Sequence, residues 1–91
     1  MLFRSRHTSF TPAAWESYVF WQTQDRKTLK RINLLIESAC RTPFEGVGKP
    51  EPLTGNLSGY WSRRIDESNR LVYAVDESDI TIISCRFHYD D

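Results

Sequence analysis

Cysteine is scarce in this 91-residue chain, which has only Cys40 and Cys85. There is no CxxC pair and no His/Cys cluster, so the sequence predicts neither a metal site nor a cofactor. There is no secretory apolar segment and no apolar run long enough to cross a membrane. These absences predict a reduced, soluble, cytoplasmic protein that makes no membrane contact. Internal repeats and low-complexity stretches are also missing. So is a net charge of either sign: 12 Lys/Arg balance 12 Asp/Glu. The balance hides a division. From Arg26 to Arg70 there are nine basic and five acidic residues, and from Asp76 to Asp91 one basic and five acidic. A basic middle is compatible with a phosphate-bearing partner, although most such charges simply form a solvated face.

What is present is aromatic surface. Three Trp, four Tyr and five Phe give a short chain the large burial per residue that a small single core needs. Extended pieces around Phe3 and Phe10 predict a first strand. Thr11 is a good N-cap, and Pro12 falls at the first helical position, where a missing N–H costs nothing. Phe10 and Trp15 fit a hydrophobic staple across that cap. Ala14, Tyr18 and Trp21 then share one face of a helix ending near Gln24 or Asp25. A second helix is predicted from Arg26 to Cys40, with Leu29, Ile32, Leu35, Ile36 and Ala39 as its apolar stripe. Lys27, Lys30, Arg31 and Ser38 lie on another face, with Arg26 and Arg41 at the ends. Thr42 before Pro43 stops the helix.

All four glycines and the other three prolines fall between Pro43 and Gly59. That composition predicts a long loop and excludes a regular helix or central strand. Within it, "GKPEPL" fixes Glu51 between two prolines. Strands follow at Gly59–Asp66, Arg70–Asp76 and Asp79–His88, separated by the turns "DESN" and "DES". The fold class is therefore α+β: an N-terminal strand, then a two-helix hairpin packed on a curved antiparallel sheet. Strict alternation in the last strand puts Ile80, Ile82, Ser84, Arg86 and His88 on one face, and Thr81, Ile83, Cys85 and Phe87 on the other.

The run "RTPFEGVGKPEPLTGNLSGYWSRRIDESNRLVYAV", the closing "CRFHY" and the earlier "YVFWQTQDRKTLKRINLLI" resemble the YoeB toxins of the RelE/ParE superfamily. The resemblance extends from about His7 to Tyr89. It implies a single toxin domain over residues 1–91 with a microbial-ribonuclease-like fold. Residues 1–6 would be an extra N-terminal segment, and Asp90 and Asp91 a short acidic extension. It also implies a toxin of a type II toxin–antitoxin pair that cleaves messenger RNA in the ribosomal A site. Its partners would be a YefM/Phd-type antitoxin, the ribosome and its message, operator DNA through the toxin–antitoxin complex, and a second copy in a homodimer.

By the same resemblance Glu51 is the general base and His88 the general acid. Arg70 is the cation on the reacting phosphate, and Tyr89 orients the nucleotide. Arg64, Lys49 and Arg86 would contact substrate, and Arg26, Lys27, Lys30, Arg31 and Arg41 would dock on the ribosome. Thr54 stands where family members often carry Lys. Metal-free RNA cleavage needs such a set, because the neighbouring 2′-hydroxyl loses a proton, the departing 5′-oxygen gains one, and charge builds on phosphorus. Taken singly, each residue has an ordinary alternative. A loop Glu is usually solvated surface, a lone terminal His is often structural, and a strand-opening Arg is often a surface ion-pair partner of little energetic weight. His7 has no assigned role. Two other functions on the same scaffold are a ParE-like gyrase inhibitor and a degenerate toxin that only partners its antitoxin.

Overall fold

The computed structural model describes residues 6–86. The first strand, β1 (His7–Phe10), leads directly into α1 (Pro12–Gln24), and α2 (Arg26–Arg41) follows after a single residue. The Thr11 side chain accepts a hydrogen bond from the Ala14 amide, as the cap signal predicts. The staple is also present: the Phe10 and Trp15 rings meet edge to face, with centroids 5.4 Å apart. Asp25 caps the second helix by accepting from the amides of Lys27 and Thr28. The helices are joined across their faces by a 2.7 Å bond from the Tyr18 hydroxyl to Asn33 Oδ1.

The loop expected over 43–59 contains regular structure. Glu51–Pro52 forms a two-residue edge strand, β2, and Gly55–Leu57 a turn of 3-10 helix. Pro is tolerated in β2 because the strand is at a sheet edge, where no neighbour needs its missing N–H. Then come β3 (Tyr60–Arg64), β4 (Arg70–Val75) and β5 (Asp79–Ser84). The strand order is β1-β5-β4-β3-β2.

Strands β2 to β5 are antiparallel, but β1 lies parallel to β5, with Phe10 opposite Ile82. The sheet is therefore mixed: the expected antiparallel meander of β3 to β5 is present, and β1 adds a parallel strand at its edge. A parallel pairing needs a long crossover connection, and the helical hairpin with the following strands supplies it. That contact spans most of the chain, so local pattern does not reveal it.

The helices cover one face of the sheet. Ala14, Trp21, Ile32, Leu35 and Ala39 pack there against Ile65, Leu71, Tyr73, Ile80, Ile82 and Cys85. Burial pushes the Cys85 thiol up to about 11, well away from reactive thiolate chemistry.

A bulge in β5 overturns the strict alternation read from sequence. Tyr73 faces Ile82, but Val72 faces Ser84, so Ile83 is an extra residue. The insertion reverses the side-chain parity. Ser84 joins Val72 on the face away from the helices, and Cys85 enters the core. The regular strand ends at Ser84, short of the expected His88. His88, Tyr89, Asp90 and Asp91 lie outside the described residues.

Candidate active site

The face of the sheet opposite the helices carries the candidate chemistry. Register places Glu51 opposite Ser62, Ser62 opposite Val72, and Arg64 opposite Arg70. Directly opposed side chains share a face, so β2, β3 and β4 bring Glu51, Ser62, Arg64 and Arg70 together. Arg70 Nη1 donates to Glu51 Oε1 at 3.2 Å and to the buried Ser62 hydroxyl at 3.3 Å. The Glu51 side chain is 60% exposed and that of Arg70 29%. The pair is thus open to solvent on one side and anchored by a buried hydroxyl on the other. At this exposure the ion pair itself adds little stability.

Glu51 is held by a tight loop. Lys49, two residues earlier, has φ 52, in the left-handed region that a side chain avoids. It also precedes a proline, which disfavours helical backbone there. Such strain persists only where the surroundings impose it. Here the Arg64 amide donates to the Gly48 carbonyl at 2.8 Å, and the Leu53 amide donates to Tyr60 at 2.9 Å. These bonds clamp both ends of the Lys49–Pro52 segment to β3.

Of the other predicted residues, two stay near the pair and the rest are dispersed. Lys49 and Arg64 are exposed beside the pair. Arg86 is placed against α1, with its guanidinium carbon 3.6 Å above the Phe20 ring. On α2, Arg26, Lys27 and Lys30 are exposed. Arg31 Nη2 instead donates to the Arg64 carbonyl at 3.0 Å, tying the helix to the end of β3. Arg41 lies 3.7 Å from Glu37 one turn back. The basic stripe is therefore three exposed cations, Arg26, Lys27 and Lys30, followed by two arginines with structural contacts, Arg31 and Arg41.

Two residues were missed by sequence reasoning. One is Ser62, under Arg70. The other is Arg63, which is wholly buried. Its Nε donates to the Tyr73 hydroxyl at 2.9 Å. Its Nη1 donates to Ser38 Oγ and the Val47 carbonyl, and its Nη2 to the carbonyls of Thr42 and Glu45. The Tyr73 hydroxyl donates in turn to the Pro43 carbonyl at 2.7 Å. Burial raises the Tyr73 phenol above its ordinary range, and the Arg63 cation partly offsets this. A signal for Arg63 was available. Alternation in "YWSRRI" puts it with Trp61 and Ile65, on the apolar side.

The chain matches the model of the YoeB-like toxin of bacterial type II toxin–antitoxin systems over residues 10–89. A Toxin YoeB from Synechocystis sp. is 59% identical over 81 residues, which cover 89% of this chain and 94% of the relative. A YoeB dimer from Staphylococcus aureus superposes with a TM-score of 0.87 at 47% identity, covering 94% of this chain and all of that one. A heterotetrameric YoeB–YefM toxin–antitoxin complex from the same bacterium gives 0.85 at 47% identity, with the same coverage of both chains. The chain belongs to the YoeB-like toxins of bacterial type II toxin–antitoxin systems.

Proposed function

We propose that this toxin is a ribosome-dependent endoribonuclease that cuts messenger RNA in the A site by metal-independent acid–base chemistry. The observation that carries the reading is the solvent-open Glu51–Arg70 pair, with Arg70 aimed by Ser62. Glu51 takes the proton of the 2′-hydroxyl, and the 2′-oxygen attacks phosphorus. Arg70 shifts from Glu51 to the phosphate and stabilises the charge that builds there, while the Ser62 hydroxyl keeps it aimed. His88 protonates the departing 5′-oxygen, and Tyr89 orients the nucleotide. The products are a 2′,3′-cyclic phosphate and a free 5′-hydroxyl.

Acid–base catalysis contributes about 10²–10⁴-fold, so positioning of the message by the ribosome supplies much of the remainder. Lys49, Arg64 and Arg86 would contact the message. Arg26, Lys27, Lys30, Arg31 and Arg41 would face ribosomal RNA. The relatives that form a dimer and a YefM complex support a homodimer and a YefM-type antitoxin as partners here. Operator binding would follow only through the toxin–antitoxin complex, and the site of action is the cytoplasm.

The test is toe-printing of translating ribosomes with purified protein. The wild type should cut the message within the A site and leave gyrase supercoiling unchanged. Glu51→Ala should slow single-turnover cleavage by about 10²–10⁴-fold with ribosome binding kept. An intact message with wild-type protein, or a wild-type rate in Glu51→Ala, would contradict the reading.

A further inference from the structure

We propose that Arg63 is a positioning residue for Glu51: from inside the core it sets the loop that presents the carboxylate on the opposite face of the sheet. The inference rests on the nuclease reading above only for its kinetic arm. A guanidinium has five N–H donors, and the bonds of Arg63 engage all five. Three go to the carbonyls of Thr42, Glu45 and Val47, in the segment that leads to Glu51. A fourth reaches the same segment indirectly, because the Tyr73 hydroxyl it meets donates to Pro43. None of these acceptors is a carboxylate. The buried charge is balanced by carbonyl dipoles, including Thr42 at the negative end of α2. The cation therefore has no single strong partner, and its grip is spread along the loop.

The fit leaves no slack. A Cβ at Gly46 would come within 2.8 Å of Ser38 Oγ, and one at Gly48 within 2.7 Å of Leu35 Cδ2 and 3.1 Å of Arg63 Cβ. Both glycines also have positive φ, of 114° and 87°. Only Lys49 and Pro50 separate Gly48 from Glu51. One is held at φ 52, and the other has a ring-fixed φ. A displacement at 42–47 therefore reaches Glu51 with little freedom to absorb it. Ser62 and Arg64, the residues on either side of Arg63, receive the loop on the other face: Ser62 lies opposite Glu51, and the Arg64 amide holds Gly48.

The test is a double-mutant cycle between Arg63→Lys and Glu51→Ala, with Ser38→Ala as a gentle variant that removes one acceptor. Lys keeps the charge but gathers its donors on one nitrogen, so it cannot span these acceptors. Arg63→Lys should slow single-turnover cleavage on saturated ribosomes by about 10²-fold, the scale of a small misplacement, with ribosome affinity unchanged. Ser38→Ala should fall between it and wild type. In the Glu51→Ala background, Arg63→Lys should cost nothing further. Losses that multiply in the double variant would show that Arg63 acts elsewhere and would overturn the proposal.

Amide exchange at 46–53 gives a second readout that does not depend on activity. Arg63→Lys and Ser38→Ala should each exchange faster there, with the α1 amides unchanged. Wild-type exchange and rate in folded Ser38→Ala would overturn the proposal even if Arg63→Lys fails to fold. If wild-type protein cuts nothing, the nuclease reading falls and loop exchange alone decides: unchanged protection overturns the positioning role, and faster exchange supports it.

Discussion

Arg63 and Arg70 stand one register step apart on β3 and β4, and they point to opposite faces of one sheet. Arg63 is fully buried and uses every donor it has, on neutral oxygens. Arg70 is partly exposed, and among the described residues its bonds run through Nη1 alone, to Glu51 and Ser62. The side-chain chemistry is the same, but the unused capacity differs. A saturated guanidinium has nothing left to offer a substrate and serves as a strut. One with free donors facing solvent can accept a phosphate without first breaking the fold. Residue type alone does not separate these roles, whereas donor accounting does.

The largest effect should appear where the open arginine is changed. Arg70→Ala should slow single-turnover cleavage by about 10²–10³-fold, as for loss of one donor to a developing oxyanion. The melting temperature should barely move, because an exposed ion pair contributes little. Arg70→Lys should restore only part of the rate, since an ammonium lacks the planar fork that matches phosphate. Cleavage at the wild-type rate in folded Arg70→Ala would erase the distinction from the functional side.

The strut should show the reverse behaviour. Tyr73→Phe removes the acceptor for Arg63 Nε and the donor to the Pro43 carbonyl. Two buried polar groups then lose their partner, at a cost of about 1–3 kcal/mol each. Denaturant unfolding should show that loss as a lower midpoint at constant slope. A midpoint equal to wild type would mean that the network around Arg63 is not as tight as its geometry.

These two arginines also show how far the sequence could be read. The caps and staple were legible because their chemistry is local: Thr11, Pro12, Phe10 and Trp15 carry the start of α1 within a few residues. The end of α2 followed from Thr42 before Pro43, whereas its cap, Asp25, was read only as a candidate end of α1. Glu51 stood out because two prolines bracket it, and Arg70 through the family motif. The parallel pairing of β1 with β5 was not legible, because nothing near Phe10 specifies Ile82 as its neighbour. Nor was the bulge at Ile83, which turns Cys85 into the core and moves Ser84 to the site face. Arg63 was legible in principle, since alternation puts it inside. A charged residue at an inward position is easily taken for surface until its acceptors are seen, and those come from a loop some twenty residues away.

The carboxylates divide as the arginines do, and the smallest predicted effect tests that division. Asp25 accepts from the amides of Lys27 and Thr28 and from the Thr28 hydroxyl. Asp76 accepts from the amides of Ser78 and Asp79. These carboxylates are held by amides of their own turns, whereas Glu51 accepts from a side chain on another strand, Arg70. The Thr28 hydroxyl and the backbone amides hold Asp25 below the usual carboxylate range, and the Asp79 and Ser78 amides do the same for Asp76. A lowered folded value means that the ionised form is the one the fold prefers. The resulting stability is fully present above the unfolded value of about 3.9 and fades as pH falls through it toward the lower folded value. Asparagine can still cap but cannot ionise. Asp25→Asn and Asp76→Asn should therefore melt below wild type at neutral pH, and the gap should close on acidification to about pH 2. Both sites are exposed, so the shifts should be small. Melting curves that keep a constant offset from wild type across that range would show that the two turns depend on shape and not on charge.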